Sequence, residues 1–269
     1  MKFTKMQGTG NDYVYINCFE KTVERPEELA VKVSDRHFGI GSDGLILICP
    51  SGQADCRMKM FNADGSESEM CGNGIRCVGK YVYDHHIVEK DEFDVETKAG
   101  IKHLKVTDEG GKAVLITVDM GIPEVTGEVP EPIMIDGRSY EFIGISMGNP
   151  HAIYYMDEID GLDLEAMGPA FETHERFPER TNSEFIQVID RSHLRMRVWE
   201  RGSGETWACG TGATASAVAS VLSGRTENTV EVELKGGILS ITWDRESGHV
   251  YMTGPAVEVF QGEFDPENL

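Results

Sequence analysis

Cys71-Gly72-Asn73-Gly74 returns 138 residues later as Cys209-Gly210-Thr211-Gly212. At the same offset Arg57-Met58-Lys59-Met60-Phe61 aligns with Arg195-Met196-Arg197-Val198-Trp199, Glu67-Ser68 with Glu205-Thr206, and Gly10-Asn11 with Gly148-Asn149. One residue out of step, Val95-Glu96-Thr97-Lys98-Ala99-Gly100-Ile101 aligns with Val232-Glu233-Leu234-Lys235-Gly236-Gly237-Ile238. The same blocks in the same order in both halves mark a duplication. Its period is far longer than the few tens of residues of a solenoid unit. The chain is therefore expected to form two pseudo-symmetric domains, residues 1–118 carrying Cys71 and 119–253 carrying Cys209. Pseudo-twofold symmetry would bring the two thiols to opposite sides of one cleft.

Strand patterns dominate the sequence. Asp12 to Asn17 alternates Tyr, Val, Tyr and Ile, Leu45 to Cys49 is a short apolar run, and Arg57 to Phe61 leads into the first motif. Ala152 to Met156, Glu184 to Ile189 and Leu194 to Trp199 repeat these roles. Lys98-Ala99-Gly100 and Lys235-Gly236-Gly237 have hairpin-turn composition. Helical spacing is scarcer: Glu27 to Arg36, about Gly72 to Asp84, and about Gly210 to Leu222 with Gly224 as a stop. The last of these is thin on nearly every side, with Ala213, Ala215, Ser216, Ala217, Ala219 and Ser220. Such a helix reads as the buried axis of a domain with sheet wrapped closely around it. The fold class is therefore α/β (α+β), two repeats of a mostly antiparallel sheet around a central helix. Residues 124–132, EVTGEVPEP, read as the linker between the repeats.

The formal charge of −21 and pI of about 4.7 disfavour nucleic acid and anionic membrane surfaces as partners. Met1-Lys2-Phe3-Thr4-Lys5 runs into a glycine-rich turn rather than an apolar signal segment, which points to the cytoplasm. There the six cysteines are expected to be reduced. Cys18, Cys49 and Cys56 read as buried or incidental. Cys71, Cys77, His85 and His86 lack zinc-ligand spacing, so no metal is expected. No phosphate loop or pyridoxal-phosphate lysine is evident, so no cofactor is expected either.

Both motif cysteines precede a glycine-rich turn that opens a helix. The first N–H groups of a helix have no acceptor inside it, and the helix dipole adds positive potential there. Such a place lowers a thiol pKa and binds anions. Two thiols so placed suit proton abstraction α to a carboxylate, one removing the proton and the other returning one to the opposite face. Asn62 and Glu200-Arg201 follow equivalent strands, as Asn11 and Asn149 occupy equivalent turns. Arg201 suits a carboxylate, while the asparagines and Glu200 suit an ammonium. His151, close behind Asn149, is a candidate to tune a thiol.

Five blocks carry a resemblance over nearly the whole length: KMQGTGNDYV (5–14), RHFGIGSDG (36–44), FNADGSESEMCGNGIRC (61–77), MGNPHA (147–152) and ERGSGETWACGTGA (200–213). In these the chain resembles the diaminopimelate epimerase family. Those enzymes interconvert LL- and meso-diaminopimelate without a cofactor, for lysine and peptidoglycan precursor synthesis. The resemblance implies Cys71 and Cys209 as the two bases. It implies carboxylate binding by the backbone of Gly72, Asn73, Gly210 and Thr211. Recognition of the rest of the substrate would fall to Asn11, Asn62, Asn149, Asn182, Glu200 and Arg201, with His151 and Glu200 near the thiols. It also implies a homodimer, and a C-terminal segment, from about 254 to 269, that returns to the first domain. Gly44 stands where some members carry a substrate-contacting glutamine, so one contact is expected to be missing. The rivals are a two-thiol racemase acting on proline, hydroxyproline or another amino acid, a thiol redox or peroxide-sensing protein, and a degenerate binding protein of the same fold. The charged group Arg201 suits a substrate with a charged distal end, which proline lacks.

Overall fold

The computed structural model describes residues 1–268. The chain divides into two compact units, Met1–Val118 with the segment from Gly254 onward, and Asp119–Thr253.

In the first unit, β1 (Lys2–Gly8) and β2 (Asn11–Asn17) form a hairpin with Gly8 opposite Asn11. Its two-residue turn, Thr9-Gly10, has φ of 51° and 85°, the left-handed pair that matches strand twist. The chain crosses through α1 (Pro26–Ser34) to β3 (Gly44–Cys49), which lies parallel to β2. β4 (Cys56–Asn62) runs back along β3, and β5 (Glu67–Ser68) is a short return. Then α2 (Gly72–Asp84) precedes β6 (Glu92–Thr97), which is parallel to β4, and β7 (Gly100–Glu109) and β8 (Lys112–Gly121) close as hairpins. The C-terminal strand Val257–Glu263 pairs antiparallel with the free side of β1.

The second unit repeats this order. It opens with β9 (Glu124–Val125), β10 (Glu131–Ile135) and β11 (Arg138–Ser146). β12 (Pro150–Tyr155), α3 (Leu164–Glu172) and β13 (Asn182–Asp190) make the parallel crossover. β14 (His193–Glu200), β15 (Gly204–Glu205) and α4 (Gly210–Leu222) follow. β16 (Thr229–Leu234) is parallel to β14, and β17 (Gly237–Trp243) and β18 (Val250–Gly254) complete the unit. β10 flanks β11 as the C-terminal strand flanks β1. Both units are thus mostly antiparallel with two parallel pairings each, as the repeat pattern requires.

Each unit wraps its sheet around one helix. α2 packs on β1, β2, β7 and the C-terminal strand, and ten of its residues are buried. A Cβ on Gly79 would meet Leu104 Cδ2 at 2.8 Å, so this helix lies against the sheet as closely as glycine permits. α4 packs on β11 to β14, β16 and β17, its small side chains almost all buried. A separate aromatic cluster, Tyr154, Phe171, Phe185 and Phe142, fills the space between α3 and its strands.

The expectation of a linker at 124–132 fails. Glu124 and Val125 pair with Ser146 and Ile145, Thr126 N–H donates to Gly144 O, and Glu131 to Ile135 pairs with β11. Prolines and glutamates are compatible with edge strands, whose outer N–H groups need no ladder partner. Among the described residues no helix is long and apolar enough to cross a membrane.

Candidate active site

In the first unit the site is built at the start of α2. Cys71 is its N-cap, with φ −134° and ψ 119°. Its sulfur accepts from Gly74 N at 3.3 Å and donates toward Asn11 Oδ1 at 3.2 Å. Asn11 is held in that orientation because its Nδ2 donates to Asp43 Oδ2 at 2.7 Å. Asp43 in turn accepts from Arg36 at 3.0 Å, and Arg36 also bridges to Asp12 at 2.9 Å. Tyr13, 4% exposed, reaches both Asn11 and Cys71 with its hydroxyl. Burial, and then the charge Cys71 takes on, hold that phenol well above its usual range, so it stays a donor. Beneath the turn lies Arg76, fully buried, donating to Gly72 O, Asn73 Oδ1, Thr9 Oγ1 and Pro255 O. A buried guanidinium needs such acceptors, and it leaves a positive charge under the thiol. Asn62 ends β4 and closes the turn to β5 through Ser66.

In the second unit Cys209 is the N-cap of α4, with φ −119° and ψ 108°. It is more buried than Cys71, at 6% exposed. Its sulfur lies 3.5 Å from Thr211 Oγ1, which accepts from Asn149 Nδ2 at 3.4 Å. Burial first, then Glu200 and Glu184 beside it, push this thiol well up, so it keeps its proton. Burial also raises Glu200, against hydrogen bonds with Thr206 and Cys209 that lower it. His151 is wholly enclosed: Nδ1 meets Glu184 Oε1 at 2.7 Å and Nε2 meets Asn149 Oδ1 at 3.1 Å. Asn182 is committed to backbone, donating to Pro150 O at 2.8 Å and accepting from Arg201 N at 2.9 Å. Arg201 itself is exposed, its guanidinium 3.5 Å from Glu179 O.

The glycines of the motif have a packing reason. A Cβ on Gly74 would meet Ile46 Cδ1 at 2.7 Å, and one on Gly212 would meet Glu184 Oε1 at 2.5 Å. Ile46 and Glu184 stand at the repeat offset of 138. Each unit therefore seats a strand residue under the first turn of its helix, apolar in one and acidic in the other.

A family model for diaminopimelate epimerase matches residues 3–126 and 143–259. The chain belongs to the diaminopimelate epimerase family. It is 59% identical to the diaminopimelate epimerase of Desulfovibrio desulfuricans, over 98% of both chains, and 58% identical to that of Acetivibrio thermocellus over the full length of both. Among solved structures, the phenazine biosynthesis protein of Bacillus anthracis superposes with a TM-score of 0.75 at 18% identity, covering 98% of this chain and 99% of that one. That likeness concerns the fold.

Within this epimerase-family framework several neighbours of the thiols escape motif reading. Tyr13 and His151 stand at the repeat offset, so Tyr13 was visible as the counterpart of a named candidate. Glu184 stands in the polar start of β13, Asn182-Ser183-Glu184, at the repeat offset of the apolar Ile46. Asp43, Arg36 and Arg76 fall inside the quoted blocks 36–44 and 61–77, but at the repeat offset stand Thr181, His174 and Thr214, so the duplication does not single them out. The absence of a glutamine at position 44 also takes a different meaning. A Cβ on Gly44 would lie 2.2 Å from Phe61 O and 2.9 Å from Tyr13 Cε1, so this backbone excludes any side chain there. The position is closed, not merely lacking a contact.

Proposed function

We propose that this chain epimerises diaminopimelate with Cys71 and Cys209 as a two-base pair, each serving as base or acid according to the isomer bound. It is an isomerase acting at the amino-acid α carbon, converting LL- to meso-diaminopimelate in lysine biosynthesis. The observation that carries the mechanism is the duplicated thiol: in each unit a cysteine caps the central helix of the repeat. Two thiols supply both proton transfers, so the reaction requires no cofactor.

The surroundings support the following starting roles. Cys209 keeps its proton in the free enzyme and is the acid for the isomer deprotonated by Cys71. Tyr13 O–H, Gly74 N–H and the charge of Arg76 stabilise the Cys71 thiolate. In the reverse direction Glu200, hydrogen-bonded to Cys209, accepts the thiol proton. The first-turn N–H groups at Gly72, Asn73, Gly210 and Thr211 hold the carboxylate of the reacting centre. Asn11, Asn62 and Asn149 with Glu200 recognise ammonium groups, and Arg201, its backbone pinned by Asn182, takes the distal carboxylate. Glu184 acts through His151 as a positioning residue. We place the enzyme in the cytoplasm as a homodimer, the latter checked by sedimentation.

The test is NMR of reduced enzyme with LL-diaminopimelate in D2O. Deuterium entering the α position as the meso isomer appears establishes the reaction and the substrate together. Exchange or conversion on proline instead, with diaminopimelate inert, overturns the substrate.

A further inference from the structure

We propose that Cys18 and Cys49 form a second oxidisable thiol pair, at which a hydroperoxide closes a reversible disulfide between neighbouring parallel strands. The pair is separate from the catalytic thiols, and the reading of these cysteines as buried or incidental is corrected: both are half-buried.

The geometry comes from the sheet. β2 and β3 are parallel with Asn17 opposite Ile48, which places Cys18 beside Cys49, and Cys18 N–H donates to Ile48 O at 2.8 Å. Alternation puts both side chains on one face: Val14 and Ile16 with Cys18, and Leu45 and Leu47 with Cys49, border one apolar cluster. Adjacent strands lie about 4.8 Å apart, inside the roughly 4.4–6.8 Å Cα window that a disulfide spans. Cys18 Sγ lies 3.8 Å from Ile16 O, and the two thiols share a side-chain hydrogen bond. That hydrogen bond, against the effect of burial and with help from Lys59 and Arg57, brings Cys49 down to about 7, while Cys18 is held far up by the same contact. The arrangement is a part-exposed thiolate poised next to a resolving thiol. Cys56 and Cys77 differ: burial pushes them up to about 12 and about 11, and they are fully enclosed.

The chemistry balances with the hydroperoxide as oxidant. The Cys49 thiolate attacks one peroxide oxygen, the O–O bond breaks, and a sulfenic acid forms as hydroxide or alkoxide leaves. Cys18 sulfur then attacks Cys49 sulfur, the S–S bond forms, the S–O bond breaks, and water departs with the Cys18 proton. Two thiols are oxidised and one peroxide is reduced.

The test uses the full chain carrying Cys71→Ala and Cys209→Ala, so its outcome is independent of the epimerase mechanism. One equivalent of hydrogen peroxide should remove two hydrogens from the intact mass, reversibly with dithiothreitol. A non-reduced digest should yield a peptide pair whose fragmentation places the link between Cys18 and Cys49 rather than Cys56. Adding Cys18→Ala should stop oxidation at a dimedone-trappable sulfenic acid. It should also raise the pH midpoint of Cys49 alkylation toward the ~8.5 of an ordinary thiol. Absence of the linked peptide, or oxidation of Cys49 to sulfinic acid with Cys18 still alkylatable, overturns the proposal. So does a Cys49 midpoint that Cys18→Ala leaves unmoved.

Discussion

Cys71 and Cys209 occupy the same position in a repeated frame, yet opposite charges surround them. Arg76 lies under one, whereas Glu184 and Glu200 lie beside the other. In the proposed two-base pair, one proton is held between two sulfurs, and such bias would set where it waits. Replacing either cysteine with serine is expected to cut epimerisation by at least about 10³-fold, a hydroxyl being a far weaker base at neutral pH. With Cys209→Ala, α-deuterium exchange of the isomer facing Cys71 should survive without conversion; loss of exchange together with conversion would contradict the assigned roles. Glu184→Gln keeps the shape under Gly212 but removes the carboxylate from His151. We expect kcat to fall, with a displaced pH–rate profile and little change in KM. An unaltered pH profile would leave Glu184 a packing residue. These neighbours are hard to read from sequence because the residues they bond lie far away in the chain. Asp43 bonds Asn11, 32 positions away, and Glu184 bonds His151, 33 away.

At the scale of elements, α2 and α4 are the most legible parts of the molecule. A cysteine followed by spaced glycines marks each start, and both helices span the residues read from the sequence, Gly72–Asp84 and Gly210–Leu222. The segment at 124–132 misleads because composition reports exposure, and an edge strand is as exposed as a linker. β3 crosses so close to β4 that Gly44→Ala should destabilise the protein by about 1–3 kcal/mol, measured by urea unfolding; no loss would mean the strands can part at low cost. The hairpin of β1 and β2 carries a different liability. Asp12, against its burial, is held below the ordinary 3.8 by hydrogen bonds from Arg36 and Lys5. A depressed carboxylate contributes stability above its unfolded pKa and loses it as pH falls through the folded one. Asp12→Asn should therefore cost about 1 kcal/mol at pH 7, after allowance for solvent screening. The difference from wild type should close as pH drops below 3.8 toward the lowered folded value. A difference constant down to pH 2 would show that the charge is irrelevant.

For the whole molecule, the second unit is one uninterrupted stretch, Asp119–Thr253, with its own apolar core. Expressed alone, residues 119–253 should fold cooperatively, with dispersed amide resonances, and should not epimerise, since they hold a single motif thiol. An unfolded fragment would show that the second unit depends on the first. The first unit is different, because β1 carries the C-terminal strand Val257–Glu263 along its length and Met1 N bonds Phe264 O. On the ribosome, where a chain emerges at about 5–20 residues per second, the body coded first must wait with an open β1 edge until the last strand arrives. The body coded second can close before it, so the nascent enzyme is exposed to strand-edge misassembly longest in its N-terminal half.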